Sequence, residues 1–411
     1  MTLIEELKYR GFINQCTNEE TLSKILNSKK IVFYIGFDCT AKSLHVGSLI
    51  QIMIMRIFQR HGHTPIILIG TGTTRIGDPS GKDETRKILT NEEILKNAEN
   101  LREVFDKYLS FDKKDNSALI RDNSVWLDKL NYVNFLRDYG KHFTINKMLT
   151  FDSVKIRLDR EQSLSFVEFN YMIFQAYDFY ELNKRDSCVL QIGGSDQWGN
   201  IVNGVELTRR VSGNEVYGLT TPLLTNSNGE KMGKTADGAV WLNGELLSAY
   251  DYWQFWRNVD DRDVIKFIKL FTDLDKTQIE TLEKSLSKDV NSLKIILANE
   301  TTSMLHGEEN SIKAEKTSKE IFENKSFSDD IPTLRLLKKD IKTGVHLSDL
   351  ITQVKFAKSK TEARKLMRGK GVKLNGEIVN DELLSLSYDQ ISKNDNVISV
   401  GKKKHFKVTV E

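Results

Sequence analysis

The first 245 residues alternate between short apolar segments and longer stretches with helical periodicity. The segments IVFYIGF (31–37), TPIILIG (64–70) and SCVLQIGG (187–194) have the length and composition of buried strands. Strands of this kind, separated by helical patterns, predict an α/β fold with a parallel sheet and crossover helices. Ligands of such open sheets bind beyond the carboxyl ends of the strands. We therefore expect a binding site at the carboxyl ends of these strands.

The rest of the chain differs in pattern from this first part. Residues 246–322 are helical in pattern with Lys- and Glu-rich faces, 323–344 are predicted to be a linker, and 345–411 form a small compact module. A chain of 411 residues predicts more than one domain. No apolar segment reaches the roughly 18 residues of a membrane helix. Three scattered cysteines and no signal-like N-terminus predict a cytoplasmic protein without a membrane partner.

Positive charge is concentrated in one part of the sequence. Residues 355–373 hold eight Lys or Arg and one Glu, a local charge of +7, whereas the whole chain has a net charge of +3. One basic patch on a mildly acidic chain predicts a polyanionic partner. The alternative is a solvated helix face, which is the commoner fate of a charge run.

Two segments carry residue types that suit phosphate chemistry. In YIGFDCTAKSLHVGSLI (34–50), Gly36 ends a strand, and His45 and Gly47 begin a helix whose free N–H groups favour anions. In TNSNGEKMGKT (225–235), Lys231 and Lys234 follow an Asn-Gly turn and could neutralise a departing pyrophosphate. Taken separately, each segment is equally compatible with an ordinary turn or an exposed lysine loop.

Together these segments resemble the signatures of the class I aminoacyl-tRNA synthetases. LHVGS is similar to His-Ile-Gly-His and KMGKT to Lys-Met-Ser-Lys-Ser, with Ser48, Gly233 and Thr235 departing from the pattern. The chain resembles the bacterial-type tyrosyl-tRNA synthetases essentially from end to end. This implies a Rossmann-like catalytic domain in residues 1–245, a helical domain on the anticodon side of the tRNA, and a homodimer formed through residues 110–165.

The helix predicted around FVEFNYMIFQAYDFYEL (166–182) is apolar almost throughout, but three of its polar side chains share one face. Tyr171, Gln175 and Asp178 are spaced i, i+4 and i+7, and a buried carboxylate needs a partner. For Tyr171 alone, core packing is the alternative. The resemblance implies an L-tyrosine site in which Tyr171, Gln175 and Asp78 hold the amine and Asp178 and Tyr34 bind the phenolic hydroxyl. Gln197 is implied at the aminoacyl end.

The resemblance also implies an ATP site. Its nucleotide-binding residues are Gly36, Asp38, Gly47, Ser48, Gly193, Asp196 and Lys234. Its catalytic residues are Thr40, His45, Lys82, Arg86, Lys231, Lys234 and Thr235. Magnesium is expected to arrive with ATP, held by phosphates and water, with no protein-ligated metal. For Asp196, a helix cap in QIGGSDQWGN (191–200) is the alternative.

The C-terminal module resembles the S4-type RNA-binding domain. Ser359 and Glu362 have capping-box spacing before a basic helix, and Asn375-Gly376 predicts a hairpin. Such an α+β module suits the phosphates and shape of tRNA(Tyr), not DNA. The residues expected to bind tRNA are Lys358, Lys360, Arg364, Lys365, Arg368 and Lys370.

The sequence is also compatible with two other functions. A tryptophan-specific relative would share both signatures, but the Asp178 and Tyr34 pair and the appended module argue against it. A non-catalytic RNA-binding protein could keep the fold, but the intact His45, Gly47 and Lys231 argue against that function.

Overall fold

The computed structural model of the protein describes residues 1–80, 89–112, 115–235, 238–323, 332–337, 341, 344–393, 396–401 and 404–410. The chain forms two compact units. Unit 1 comprises Met1–Gly233, Trp241–Asn243 and Asp260–Ser285, and unit 2 comprises Lys234–Val240, Gly244–Val259 and Leu286–Glu411. None of the described helices combines the length and the hydropathy of a membrane span.

The described helices follow in chain order. They are α1 (Leu3–Arg10), α2 (Glu19–Ser28), α3 (Val46–Arg60), α4 (Thr71–Thr74), α5 (Asn91–Tyr108), α6 (Ser124–Leu127), α7 (Tyr132–Asp138), α8 (Ile145–Met148), α9 (Asp152–Asp159), α10 (Phe166–Asp186), α11 (Trp198–Ser212), α12 (Ala249–Arg257), α13 (Val264–Phe271), α14 (Lys276–Ser285), α15 (Val290–His306), α16 (Glu308–Glu323), α17 (Leu347–Gln353), α18 (Lys360–Arg368) and α19 (Tyr388–Lys393). Short 3-10 helices lie at Gly140–His142, Ser195–Gln197 and Asp261–Asp263.

The described strands are mostly short. They are β1 (Gln15–Cys16), β2 (Val32–Asp38), β3 (Thr64–Gly70), β4 (Leu119–Asp122), β5 (Cys188–Gly194), β6 (Tyr217–Thr221), β7 (Lys234–Thr235), β8 (Gly238–Ala239), β9 (Thr333–Leu336), β10 (Val345–His346), β11 (Val372–Leu374), β12 (Glu377–Ile378), β13 (Ser385–Leu386), β14 (Asn396–Val400) and β15 (Lys404–Val410).

Unit 1 is built on a six-stranded sheet, which confirms the predicted α/β fold. The strand order is β1-β6-β5-β2-β3-β4, and each pair except β1 with β6 is parallel. The order reverses between β2 and β5, because β2 continues to β3 on one side while β5 continues to β6 on the other. The carboxyl ends of β2 and β5 therefore flank the switch point where ligands bind in sheets of this class.

The α13–α14 segment belongs to unit 1, which corrects the predicted boundary at residue 245. The apolar pattern VIKFIKLF of α13 buries Phe267, Ile268 and Phe271, and the helix packs on α1 and α3. Arg10 of α1 also donates to the backbone carbonyls of residues 269, 272 and 274 at 2.9, 3.1 and 2.7 Å. A helical pattern alone does not show which neighbouring core a helix joins.

Unit 2 contains a helical layer and a small α+β module. Helices α12, α15 and α16 pack together, and a five-stranded sheet has the order β12-β11-β14-β15-β9. Strand β9 pairs in parallel with β15, so the predicted linker 323–344 is wrong for residues 333–336. The strand was missed because it is a short edge strand that buries only Leu336. The hairpin at Asn375-Gly376 is present, with φ of 50° and 87°.

The contact between α1 and α3 in unit 1 includes an ionic cluster around the buried Glu6. Glu6 accepts from Arg10 Nε at 2.8 Å and Arg60 Nη2 at 3.2 Å, and it lies 2.7 Å from His61 Nε2. The hydrogen bond with His61, together with the charges of Arg10 and Arg60, lowers the pKa of Glu6 from 4.5 to about 2. Glu6 is therefore more acidic in the folded state than in the unfolded chain.

We predict that Glu6→Gln lowers the melting temperature near neutral pH and that this deficit shrinks as pH falls from 4.5 to about 2. A depressed carboxyl pKa contributes stability above the unfolded value and loses it as the folded carboxylate is protonated. Thermal unfolding of both proteins across this pH range tests the prediction. Glu20→Gln, in an exposed pair with Lys24 at 2.6 Å, is the matched control. A deficit independent of pH would contradict the account.

Candidate active site

A cavity of about 380 Å³ opens at the carboxyl ends of β2 and β5 in unit 1. It collects the side chains and glycines that the sequence analysis assigned to tyrosine and to most of the nucleotide. The assigned residues that line it are Tyr34, Gly36, Asp38, Thr40, His45, Gly47, Ser48, Asp78, Tyr171, Gln175, Asp178, Gly193, Asp196 and Gln197.

Asp178 lies on α10 and is 2 % exposed. Asn123 Nδ2 donates to its Oδ2 at 3.0 Å, and Trp126 Nε1 donates to its Oδ1 at 2.7 Å. Burial raises the pKa of Asp178 to about 8, although both donors oppose this rise. A carboxyl group held in this way can bind a hydroxyl group that enters the cavity.

The hydroxyl of Tyr34 is the natural companion of this carboxyl group. Tyr34 is 1 % exposed, and its buried hydroxyl has no hydrogen-bond partner among the described residues. Burial and the charge of Asp178 raise the pKa of Tyr34 well above its ordinary value, so this hydroxyl stays protonated. An unpaired buried hydroxyl is costly, which favours a polar ligand group at this point.

Tyr171 of α10 and Gln197, which precedes α11, contact the carboxylates of Asp38 and Asp78. The Tyr171 hydroxyl donates to Asp38 Oδ2 at 2.9 Å, so this tyrosine does more than pack in the core. Gln197 Nε2 donates to Asp78 Oδ2 at 2.8 Å. Gln175 Oε1 is buried and has no partner in the described part of the chain. Carboxylates beside an unused amide oxygen form a suitable environment for an ammonium group.

The two glycines of segment 34–50 serve different purposes. A Cβ on Gly36 would meet nothing within 4 Å, so only a ligand would be affected by a side chain there. A Cβ on Gly47 would lie 2.8 Å from His45 Nδ1 and 2.9 Å from the Met232 carbonyl oxygen. Packing against His45 and the Met232 backbone therefore requires glycine at position 47, whether or not a ligand is bound.

His45 directly precedes α3 and is its N-cap residue. Its Nδ1 accepts from the Gly47 N–H at 3.0 Å and so caps the helix. The cap fixes the imidazole at the positive end of the α3 dipole. Because Nδ1 is the acceptor, the proton of the neutral imidazole lies on Nε2.

Asp196 does not cap α11, which corrects the alternative considered for it. The helix starts after Gln197 without a side-chain capping bond. Burial raises the pKa of Asp196, as does the charge of Asp78, while the Lys231 ammonium lowers it. Asp196 lines the cavity, and the charge of Lys231 acts on its carboxyl group.

Five assigned residues are not placed in the cavity wall. Lys82 and Arg86 lie outside the described residues. The side chains of Lys234 and Thr235 also lie outside them, and the backbone of this pair belongs to unit 2. Lys231 is exposed in unit 1. The roles of these five residues remain predictions.

The residues expected to bind tRNA surround α18 in unit 2. All are exposed except Arg364, which is partly buried, and they are Lys358, Lys360, Arg364, Lys365, Arg368 and Lys370. Lys360 is paired with Asp349 at 2.9 Å and Arg368 with Glu382 at 2.8 Å. These two pairs reduce the free positive charge of the helix.

The sequence analysis did not identify the residues that donate hydrogen bonds to Asp178 and Asp38. Asn123 and Trp126 follow β4, and Thr73 follows β3, where its hydroxyl donates to Asp38 Oδ1 at 2.7 Å. Their position after strand ends was the available signal. Their partners could not be inferred, because strand order is not visible in the sequence.

Two family models cover nearly the whole chain. The model described as tRNA synthetases class I (W and Y) matches residues 26–323, and the tyrosine–tRNA ligase SYY-like C-terminal domain matches residues 323–408. The chain belongs to the tyrosine–tRNA ligase family. The resemblance stated from the two signature segments is confirmed.

Relatives in this ligase family match the chain along its full length. The tyrosine–tRNA ligase of Pelagibacter ubique is 56% identical over 405 residues, which are 98% of each chain. That of Rickettsia prowazekii is 52% identical over 412 residues and covers 100% of both chains. Among solved structures, a C-terminally truncated mitochondrial tyrosyl-tRNA synthetase from Aspergillus nidulans matches with a TM-score of 0.71 and 28% identity, covering 78% of this chain and 94% of that one.

Gly233, in the second ligase signature, has no room for a side chain. Its φ is +110°, and a Cβ there would lie 2.5 Å from His45 Nδ1 and 2.9 Å from the Gly47 nitrogen. We predict that Gly233→Ala slows tyrosine-dependent exchange of pyrophosphate into ATP by roughly tenfold or more, because strain of one to three kcal/mol displaces the loop.

Gly229→Ala is the matched control for this substitution. Gly229 lies in the same loop with φ +81°, but a Cβ there would meet nothing within 4 Å. It therefore carries the backbone strain without the contact with His45. Equal exchange rates for the two variants would contradict the inference that the close contact of Gly233 with His45 positions this loop.

Proposed function

We propose that this chain activates L-tyrosine with ATP and transfers the tyrosyl group to the 3′ end of tRNA(Tyr). The observation that supports it best is the buried Asp178, which is held by Asn123 and Trp126. The Tyr34 hydroxyl beside it has no hydrogen-bond partner in the described part of the chain. A phenolic hydroxyl can donate to a carboxyl oxygen of Asp178 and accept from Tyr34. An indole or aliphatic side chain lacks a group that both donates and accepts.

The amine of tyrosine would be held at the carboxylate-lined part of the cavity. Asp78 and the carbonyl oxygen of Gln175 are acceptors suited to an ammonium group, and Tyr171 is held beside them through Asp38. Gln197, bound to Asp78 at 2.8 Å, would contact the aminoacyl end. This arrangement leaves the substrate carboxylate free to act as the nucleophile.

Adenylate formation needs orientation and charge stabilisation, not a protein nucleophile. A tyrosine carboxylate oxygen attacks the α-phosphorus of ATP, and the bond to the β-phosphate oxygen breaks to release pyrophosphate. The N-terminus of α3, with Thr40 and His45, would bind the outer phosphates. Lys82, Arg86, Lys231 and Lys234 would stabilise the charge that develops on pyrophosphate. Magnesium would come with ATP, bound by phosphate oxygens and water.

The basic helix α18 would bind tRNA(Tyr) through its phosphates. Its free cations include Lys365 and Lys370, because Lys360 and Arg368 are engaged with acidic neighbours. The hydroxyl at the tRNA 3′ end then attacks the acyl carbon of the adenylate, and AMP leaves. A cytoplasmic homodimer with contacts in residues 110–165 remains part of this proposal. Exposed apolar side chains in that range, such as Val133 at 70% and Ile145 at 58%, support it.

We predict that purified protein exchanges labelled pyrophosphate into ATP when L-tyrosine is present, and does so far less with tryptophan or leucine. The reason is the donor-and-acceptor pair formed by Asp178 and Tyr34. Exchange assays with each amino acid at saturating ATP and magnesium measure this directly.

Each other outcome identifies a different function. Equal exchange with tryptophan would overturn the tyrosine site and favour the tryptophan-specific alternative. No exchange with any amino acid, together with binding of tRNA, would favour a non-catalytic RNA-binding role.

A further inference from the structure

The lysine segment of unit 1 is a closed hairpin, which we call the lysine hairpin (residues 224–232). The Met232 N–H donates to the Leu224 carbonyl at 2.9 Å, and the Asn226 N–H donates to the Glu230 carbonyl at 2.9 Å. Two further N–H groups of the turn donate to Asn226 Oδ1 at 3.0 and 2.9 Å. These bonds join the two arms of the hairpin to its turn, so a contact that fixes the turn also restrains Lys231.

Asp263, at the start of α13, contacts the turn of this hairpin. Its Oδ2 accepts from the Ser227 N–H at 2.8 Å, and Asp263 is only 4 % exposed. An aspartate at this position usually caps its own helix. α13 has no side-chain capping bond from Asp263, so its carboxylate serves the hairpin instead.

Two exposed side chains next to Asp263 support the same contact. Lys266 Nζ donates to the Thr225 carbonyl at 2.7 Å, and Arg262 Nη2 donates to Asn228 Oδ1 at 2.9 Å. Arg262 is also bound to Asp260 at 2.9 Å. Exposed contacts of this kind contribute little to position or stability, which leaves Asp263 as the main anchor.

We propose that Asp263 is a positioning residue for adenylate formation, which holds the lysine hairpin so that Lys231 reaches the departing pyrophosphate. This inference rests on the proposed function. A free lysine side chain and a free loop must both be ordered in the transition state, and a fixed hairpin removes part of that cost. The effect of the Lys231 charge on the cavity residue Asp196 supports this position for its ammonium group.

The test is a double-mutant cycle between Asp263 and Lys231. Asp263→Ala should lower the rate of tyrosine-dependent pyrophosphate exchange by roughly tenfold, with the KM for tyrosine unchanged. Asp263→Asn, which keeps an oxygen acceptor, should recover most of the rate. In a Lys231→Ala background, Asp263→Ala should cause less than about a twofold further loss, because the lysine it positions is absent.

Two further variants separate positioning from folding. Ser227→Pro removes the same hydrogen bond from the donor side and should reproduce the loss, even if Asp263→Ala fails to fold. Asp275→Ala is the matched control, since Asp275 is an exposed aspartate that accepts from the Gln278 N–H at 2.9 Å at the start of α14. It should leave exchange within about twofold of the parent.

The failure of this inference can be distinguished from the failure of the proposed function. If the parent protein shows no tyrosine-dependent exchange, the proposed function is wrong. If the parent exchanges but the losses from Asp263→Ala and Lys231→Ala multiply, or Asp263→Ala and Ser227→Pro have no effect, the positioning role of Asp263 is wrong.

Discussion

A carboxyl group on a buried helix must find hydrogen-bond donors, because ionising it unpaired inside a protein costs several kcal/mol. In α10 that group is Asp178, and Asn123 and Trp126 are its donors. Both donors come from the segment after β4, so the contact joins a crossover helix to the far edge of the parallel sheet. The candidate tyrosine site depends on this contact, since it fixes the Asp178 carboxyl group in the cavity wall.

The lysine hairpin is constrained in a comparable way by packing around His45. The histidine caps α3, and the glycines at 47 and 233 leave room for its ring against the hairpin backbone. With Asp263 at the other end, the hairpin is held at two points of unit 1. This arrangement gives a physical reason why the second signature carries glycine where the class pattern has serine.

The sequence predicted what depends on local pattern and failed where long-range packing decides. Alternating apolar segments were enough for the parallel sheet, and spacing along α10 placed Tyr171, Gln175 and Asp178 on one face. It could not show that α13 joins unit 1, because a helical pattern does not identify its partner. Nor could it show that Gly47 clears the ring of His45 or that Asp263 contacts Ser227, since the latter pair is separated by 36 residues.

The central claim is that Asp178 selects tyrosine by binding its hydroxyl, and the most direct test compares tyrosine with phenylalanine in pyrophosphate exchange. Asp178→Ala should reduce the ratio of kcat/KM for tyrosine over phenylalanine by roughly 10- to 100-fold, since a buried hydroxyl that loses its hydrogen-bond partner costs about 1–3 kcal/mol. Glu181→Ala is the control, because Glu181 is a buried carboxylate of α10 that binds Tyr177 at 2.8 Å; it should leave the ratio unchanged. An unchanged ratio in Asp178→Ala would contradict the account.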